Sequence, residues 1–136
     1  MGRVTLYELI IMYMGFDRSE IGNVMNWKKL ENLDQLTQIK NLSKEKKVLI
    51  FKHSTSCSIS RTALDRLERN WKEDEMHDTT AYYLDLRAHR EESNQVADTF
   101  GVEHQSPQVL IIKDGESVYD SSHFDIDYNS IRKQAV

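Results

Sequence analysis

The sequence predicts one α/β domain: a central mixed sheet of four to five strands flanked by helices, with a C-terminal antiparallel hairpin and a closing helix. Three observations carry that expectation. The apolar run Val48-Leu49-Ile50-Phe51 reads as a short buried strand, and Ala63, Leu64, Leu67 and Trp71 after it are apolar at helical spacing. A second strand-then-helix unit follows over residues 81–86 and 90–100. Residues 109–112 form another apolar run, closed by Asp114-Gly115, a strong signal for a two-residue hairpin. Strand–helix–strand units imply parallel neighbours, and the hairpin adds an antiparallel edge.

Taken in order, residues 1–24 read as an accessory extension, and residues 25–136 as the domain proper. Leu9-Ile10-Ile11-Met12-Tyr13-Met14 is apolar, but far shorter than the roughly 20 residues of a membrane span. As an export signal it has only a weak basic start, Arg3, and no small-residue cleavage site. Residues 26–30 suit a short edge strand. Leu30, Leu33, Leu36, Ile39 and Leu42 recur mostly three apart, the mark of an amphipathic helix. The charged residues 43–47 lead into the core strand, whose following helix covers residues 58–71. A polar loop is expected over residues 72–79, then the strand at 81–86. The helix at 90–100 has Glu91 and Glu92 in its first turn, and Gly101 stands where a left-handed C-terminal residue is wanted. Pro107, the only proline, cannot donate to a sheet ladder and belongs at the start of its strand. After the hairpin, residues 125–134 read as the closing helix, capped by Asp125 or Asp127.

Charged residues make up 29% of the chain, enough to place it with globular rather than disordered or membrane proteins. The net charge of -4, with both signs interspersed, leaves no electrostatic footprint for nucleic acid. No nucleic acid and no membrane partner is expected. The single cysteine, Cys57, excludes an intramolecular disulfide and fits a reducing, cytoplasmic compartment.

Cys57 is also where chemistry is expected. It follows the polar turn Ser54-Thr55-Ser56 and precedes a helix, so unpaired N–H groups and the positive helix end converge on it. Both favour the thiolate, which is the nucleophile. The hydroxyl-rich surroundings, with Ser58 and Ser60 beyond, argue against a buried inert thiol. Cys57-Ser58-Ile59-Ser60 is a CxxS pattern, in which a hydroxyl stands where a dithiol enzyme keeps its resolving sulfur. The Ser60 hydroxyl, one helical turn on, is expected to donate to the Cys57 thiolate. Arg61 reads equally as a solvated charge or as an attractor for a carboxylate-bearing thiol; Lys52 and Arg66 read as solvated. His53, Cys57 and His104 could suggest zinc, but no fourth ligand is evident, and no metal site is expected.

The chain resembles the thioredoxin superfamily, through Cys57 at a strand-to-helix turn and through Gly101-Val102, Pro107 and the run from Val109 to Glu116. It has one residue more between that glycine and proline than classical thioredoxins. Within the superfamily it is similar to the YtxJ-like monothiol bacilliredoxins. The matching segments are residues 51–60 (FKHSTSCSIS), 104–108 (HQSPQ), 83–87 (YLDLR) and 122–126 (SHFDI). Ser58 departs from the Pro that many members carry there, a position that tunes redox poise. Residues 1–24 lie outside the resemblance.

The resemblance implies a thioredoxin-like fold with a cis Pro107 facing Cys57. It also implies a thiol–disulfide oxidoreductase that removes a low-molecular-weight thiol, bacillithiol, from S-thiolated client proteins. Cys57 and Ser60 are the catalytic candidates. Thr55, Ser56, Ser58, Arg61, His104, Ser106 and Pro107 are the candidates for binding substrate. No bound cofactor is expected, with bacillithiol as co-substrate. A different class remains open: a non-catalytic binding module, or a metal or iron–sulfur carrier using the single cysteine with an external thiol.

Overall fold

The computed structural model describes residues 25–135; the expected N-terminal extension, with its apolar stretch, lies outside the described residues. The elements in order are β1 (Lys28–Lys29), α1 (Asp34–Leu42), β2 (Lys47–His53), α2 (Ser58–Asn70), α3 (Glu73–Met76) and β3 (Thr79–Asp85). There follow α4 (Arg90–Phe100), β4 (Gln108–Lys113), β5 (Glu116–Ser122), a 3-10 turn (His123–Asp125) and α5 (Tyr128–Ala135). The five strands form one mixed sheet in the order β1-β3-β2-β4-β5. β2 runs parallel to β3 and antiparallel to β4, which makes it the central strand.

That position explains the continuous apolar run. A strand covered on both faces has no solvent side, so Val48, Leu49, Ile50 and Phe51 are all 0% exposed. Leu49 and Phe51 pack with Ala63 and Leu67 of α2 and with Ile131 of α5. Val48 and Ile50 face the other way, against Leu36 and Ile39 of α1 and Val96 and Phe100 of α4. Each fully buried side chain of this kind contributes about 1.5–3 kcal/mol. The sheet is therefore held from both sides, and its β2 end is a rigid mount.

The local signals act where expected. Gly101 closes α4 at φ 64, and Asp114 and Gly115 turn the β4–β5 hairpin at φ 52 and 77. Asp127, rather than Asp125, caps α5: its carboxylate accepts from Ser130 N at 3.1 Å. Two expectations need correction. The apolar spacing from Leu30 suggests a helix from that point, but Leu30 extends β1, its N–H donating to Tyr83 O at 2.8 Å. The helix waits until Asp34, after Asn32 and Gln35 exchange side-chain-to-backbone bonds. The polar loop expected over residues 72–79 contains the one-turn helix α3. Acids at Glu73, Asp74 and Glu75 suit its N-terminal end, and Met76, 1% exposed, anchors it in the core. Among the described residues, no helix is long and apolar enough to cross a membrane.

Candidate active site

Beyond His53 the chain leaves the sheet. Ser54-Thr55-Ser56 turns it, with Cys57 N donating back to Ser54 O at 3.1 Å. Cys57 occupies the N-cap position of α2 with extended backbone (φ -102, ψ 122), and among the described residues no side chain caps the helix there. Its carbonyl accepts the first helical bond, from Arg61 N at 3.0 Å. Cys57 is free and half-buried, while Thr55, Ser56, Ser58 and Arg61 around it are exposed. No acid stands in the first turn of α2, so nothing there offsets the positive helix end beside the sulfur.

Ser60 has partners other than the one expected of it. It is 0% exposed, its hydroxyl 2.7 Å from His53 Nδ1 and accepting from Ser54 N at 3.0 Å. Which of Ser60 Oγ and His53 Nδ1 donates depends on the imidazole tautomer, and among the described residues Ser60 makes no hydrogen bond to the Cys57 sulfur. Ser60 therefore ties the end of β2 to the start of the turn that carries Cys57, rather than donating to the sulfur. His53 is buried (4% exposed) and stacked at a tilt near Phe51 and Tyr83. Its pKa is lowered, mainly by burial and further by Arg61, against the opposing pull of Asp85 and Asp65. The neutral ring that burial favours still carries one N–H, so Nδ1 bonds Ser60 in either tautomer, as acceptor or as donor.

Pro107 comes to the same end of the sheet. Lys52 pairs with Gln108 across β2 and β4, so Pro107 lies one step further along, beside the end of β2 from which the Cys57 turn departs. The Ser106–Pro107 peptide is cis, and Pro107 is buried. Pro107 O accepts from His123 N at 3.0 Å, which joins the 3-10 turn after β5 to the same corner. Ser106 Oγ is buried without a hydrogen-bond partner among the described residues. A lone buried hydroxyl is costly to leave unmade, and here it sits at the rim of the candidate site.

Lys52 contradicts the sequence reading outright. It is not solvated: it is 0% exposed, with Nζ donating to Ser93 O at 3.1 Å and lying 3.3 Å from His104 Nδ1. Burial lowers its pKa to about 8. The pKa of His104 is lowered too, by burial first and then by the charges of Lys52 and Arg90. Arg66 is exposed, as expected, yet its guanidinium donates to Ile126 O at 3.0 Å. His53 and His104 are engaged on opposite faces of the sheet, by Ser60 and by Lys52, and do not converge with Cys57 on one point. Among the described residues no three His, Cys, Asp or Glu side chains gather as metal ligands.

Comparison with known proteins decides the family. The family model described as monothiol bacilliredoxin BrxC matches residues 28–131. The chain belongs to the BrxC family. A solved thioredoxin-fold structure described as a proposed oxidoreductase is 32% identical, with a TM-score of 0.66 over 88% of this chain and 97% of that one. Thioredoxin from Fasciola hepatica superposes with a TM-score of 0.61 at 18% identity, over 79% of this chain and 95% of its own. Thioredoxin from Malassezia sympodialis gives 0.65 at 15% identity, over 81% and 90%. The two thioredoxins establish the fold alone. Membership of the bacilliredoxin family, on a thioredoxin fold, gives the chain a thiol redox role.

Proposed function

We propose that this bacilliredoxin-family protein removes a low-molecular-weight thiol, bacillithiol, from mixed disulfides on client proteins. The observation that supports it best is the division of labour along one helical turn. Cys57 stands half-exposed at the uncapped N-terminus of α2, and the hydroxyl three residues on is turned inward to His53. A nucleophile is present and a resolving sulfur is not. The reaction follows from that count. The Cys57 thiolate attacks the small thiol's sulfur in the client's mixed disulfide, and the client leaves as its thiolate, which takes up a proton. Cys57 now carries the small thiol as a mixed disulfide. A second molecule of that thiol attacks it as thiolate, releasing the symmetrical small disulfide and restoring Cys57.

Thr55, Ser56, Ser58 and Arg61 line the exposed side of the turn, where a polar, carboxylate-bearing thiol would bind. Ser106 and Pro107 would receive the client's extended backbone as an added strand. The intact mass of the purified protein after exposure to bacillithiol disulfide and, separately, glutathione disulfide tests the reading. The expected result is one adduct on Cys57, formed faster with bacillithiol, cleared by excess reduced thiol and absent in Cys57→Ser. No adduct from either disulfide, or full client turnover by Cys57→Ser, overturns it.

A further inference from the structure

The inward faces of β2 and β4 toward α4 are apolar along most of their length: Val48, Ile50, Leu110 and Ile112 are all 0% exposed in one cluster. At the active-site end the pattern changes. The next positions on that face are Lys52 and Gln108, cross-strand partners at 0% and 1% exposure. Apolar residues there would continue the core and avoid burying a cation that, among the described residues, no carboxylate neutralises. What the polar pair does instead is grip one segment. Lys52 Nζ reaches His104 Nδ1 at 3.3 Å, Gln108 Nε2 donates to Glu103 O at 2.9 Å, and Gln105 N donates weakly to Gln108 Oε1 at 3.4 Å. Lys52 also anchors to Ser93 O of α4, so the grip is referred to the body of the fold. Three consecutive residues, 103–105, are held from beneath, and the next two are Ser106, with its unpartnered hydroxyl, and Pro107.

We propose that Lys52 and Gln108 are positioning residues. Acting through Glu103, His104 and Gln105, they hold Ser106 and Pro107 in place for the backbone of the client protein. The inference rests on the function proposed above, and assigns its client side to two residues that touch neither Cys57 nor the small thiol. A fold-only role would show as lost stability; a positioning role shows as weakened recognition of the protein substrate with the sulfur chemistry intact.

The experiment compares wild type with Lys52→Met and Gln108→Leu, both close in volume, on a client protein carrying a bacillithiol mixed disulfide. Each variant is expected to keep its melting temperature to within a few degrees, to alkylate Cys57 with iodoacetamide within about twofold of wild type, and to raise KM for the client about tenfold with kcat little changed. Rescue is expected in His104→Asn, whose amide oxygen still accepts from Lys52, relative to His104→Leu. Unchanged KM in both variants beside an active wild type overturns the inference alone. A collapse of melting temperature in both assigns the pair to fold stability and overturns it too. A wild type without turnover fails the proposed function itself, and the inference with it.

Discussion

Lys52 and His53 are neighbours on one strand, both buried and both polar, and they point to opposite faces of the sheet. His53 looks toward α2, where it bonds the Ser60 hydroxyl, which also accepts from the Ser54 N–H under the Cys57 turn. Lys52 looks toward α4 and, among the described residues, its charge meets a carbonyl and an imidazole. The first arrangement is made of neutral groups bonded to one another; the second leaves a desolvated cation. Burying a neutral hydrogen-bonded network is cheap, whereas burying a charge is not, so the two sides of one strand end contribute differently to stability. The difference teaches that β2's polar end is specified by what it holds outside the sheet, not by the core.

The largest effect separates the two sides directly. Ser60→Ala leaves the Ser54 N–H and His53 Nδ1 without their partner, and urea denaturation should show a loss of about 1–3 kcal/mol. Lys52→Met should be neutral or stabilising in the same measurement. Equal losses in both would erase the contrast.

A smaller effect comes from pH. The folded-state pKa of Lys52 is about 8 against an ordinary 10.5. Between those values the unfolded chain binds a proton that the folded protein has released, so stability contributed by this group rises with pH across that window. The slope should be present in wild type and missing from Lys52→Met in denaturation curves taken from pH 8 to 10.5. At the acid end both sides behave alike. His53 and His104 have lowered folded-state pKa values, so their contribution is complete above the unfolded value of 6.5 and is lost as pH falls below it. Replacing either histidine by Asn should reduce the acid sensitivity.

Most of the fold was legible because its signals are local. The run at Val48–Phe51, the Asp114-Gly115 turn and Gly101 each act through residues adjacent in sequence, and α4 has the bounds its periodicity implies. The position of Cys57 at the head of a helix was legible for the same reason. The partners of Ser60 were not: an i+3 spacing suggested the sulfur, while the hydroxyl points inward to a residue seven positions back. Lys52 was hidden more deeply. A lysine at a strand end is ordinarily solvated, and only the arrival of Ser93 and His104, 41 and 52 residues away, covers it. One cue was available: Lys52 continues the alternation of Val48 and Ile50 on a strand already read as buried on both faces.

The smallest effect concerns Arg61, for which a solvated role and a thiol-attracting role both stood open. It is exposed, and Arg61→Gln should change stability by less than about 0.5 kcal/mol. Its charge nevertheless reaches His53, lowering the imidazole pKa, while Asp65 acts in the opposite direction and follows it in size. NMR titration of the His53 ring should therefore move upward in Arg61→Gln and downward in Asp65→Asn, with the first shift the larger. His104, on the other face, should move in neither; Arg90→Gln should raise it instead. A shift of both histidines in any one of these variants would mean that the two faces communicate through the strand end, and that Lys52 and His53 titrate as parts of one network.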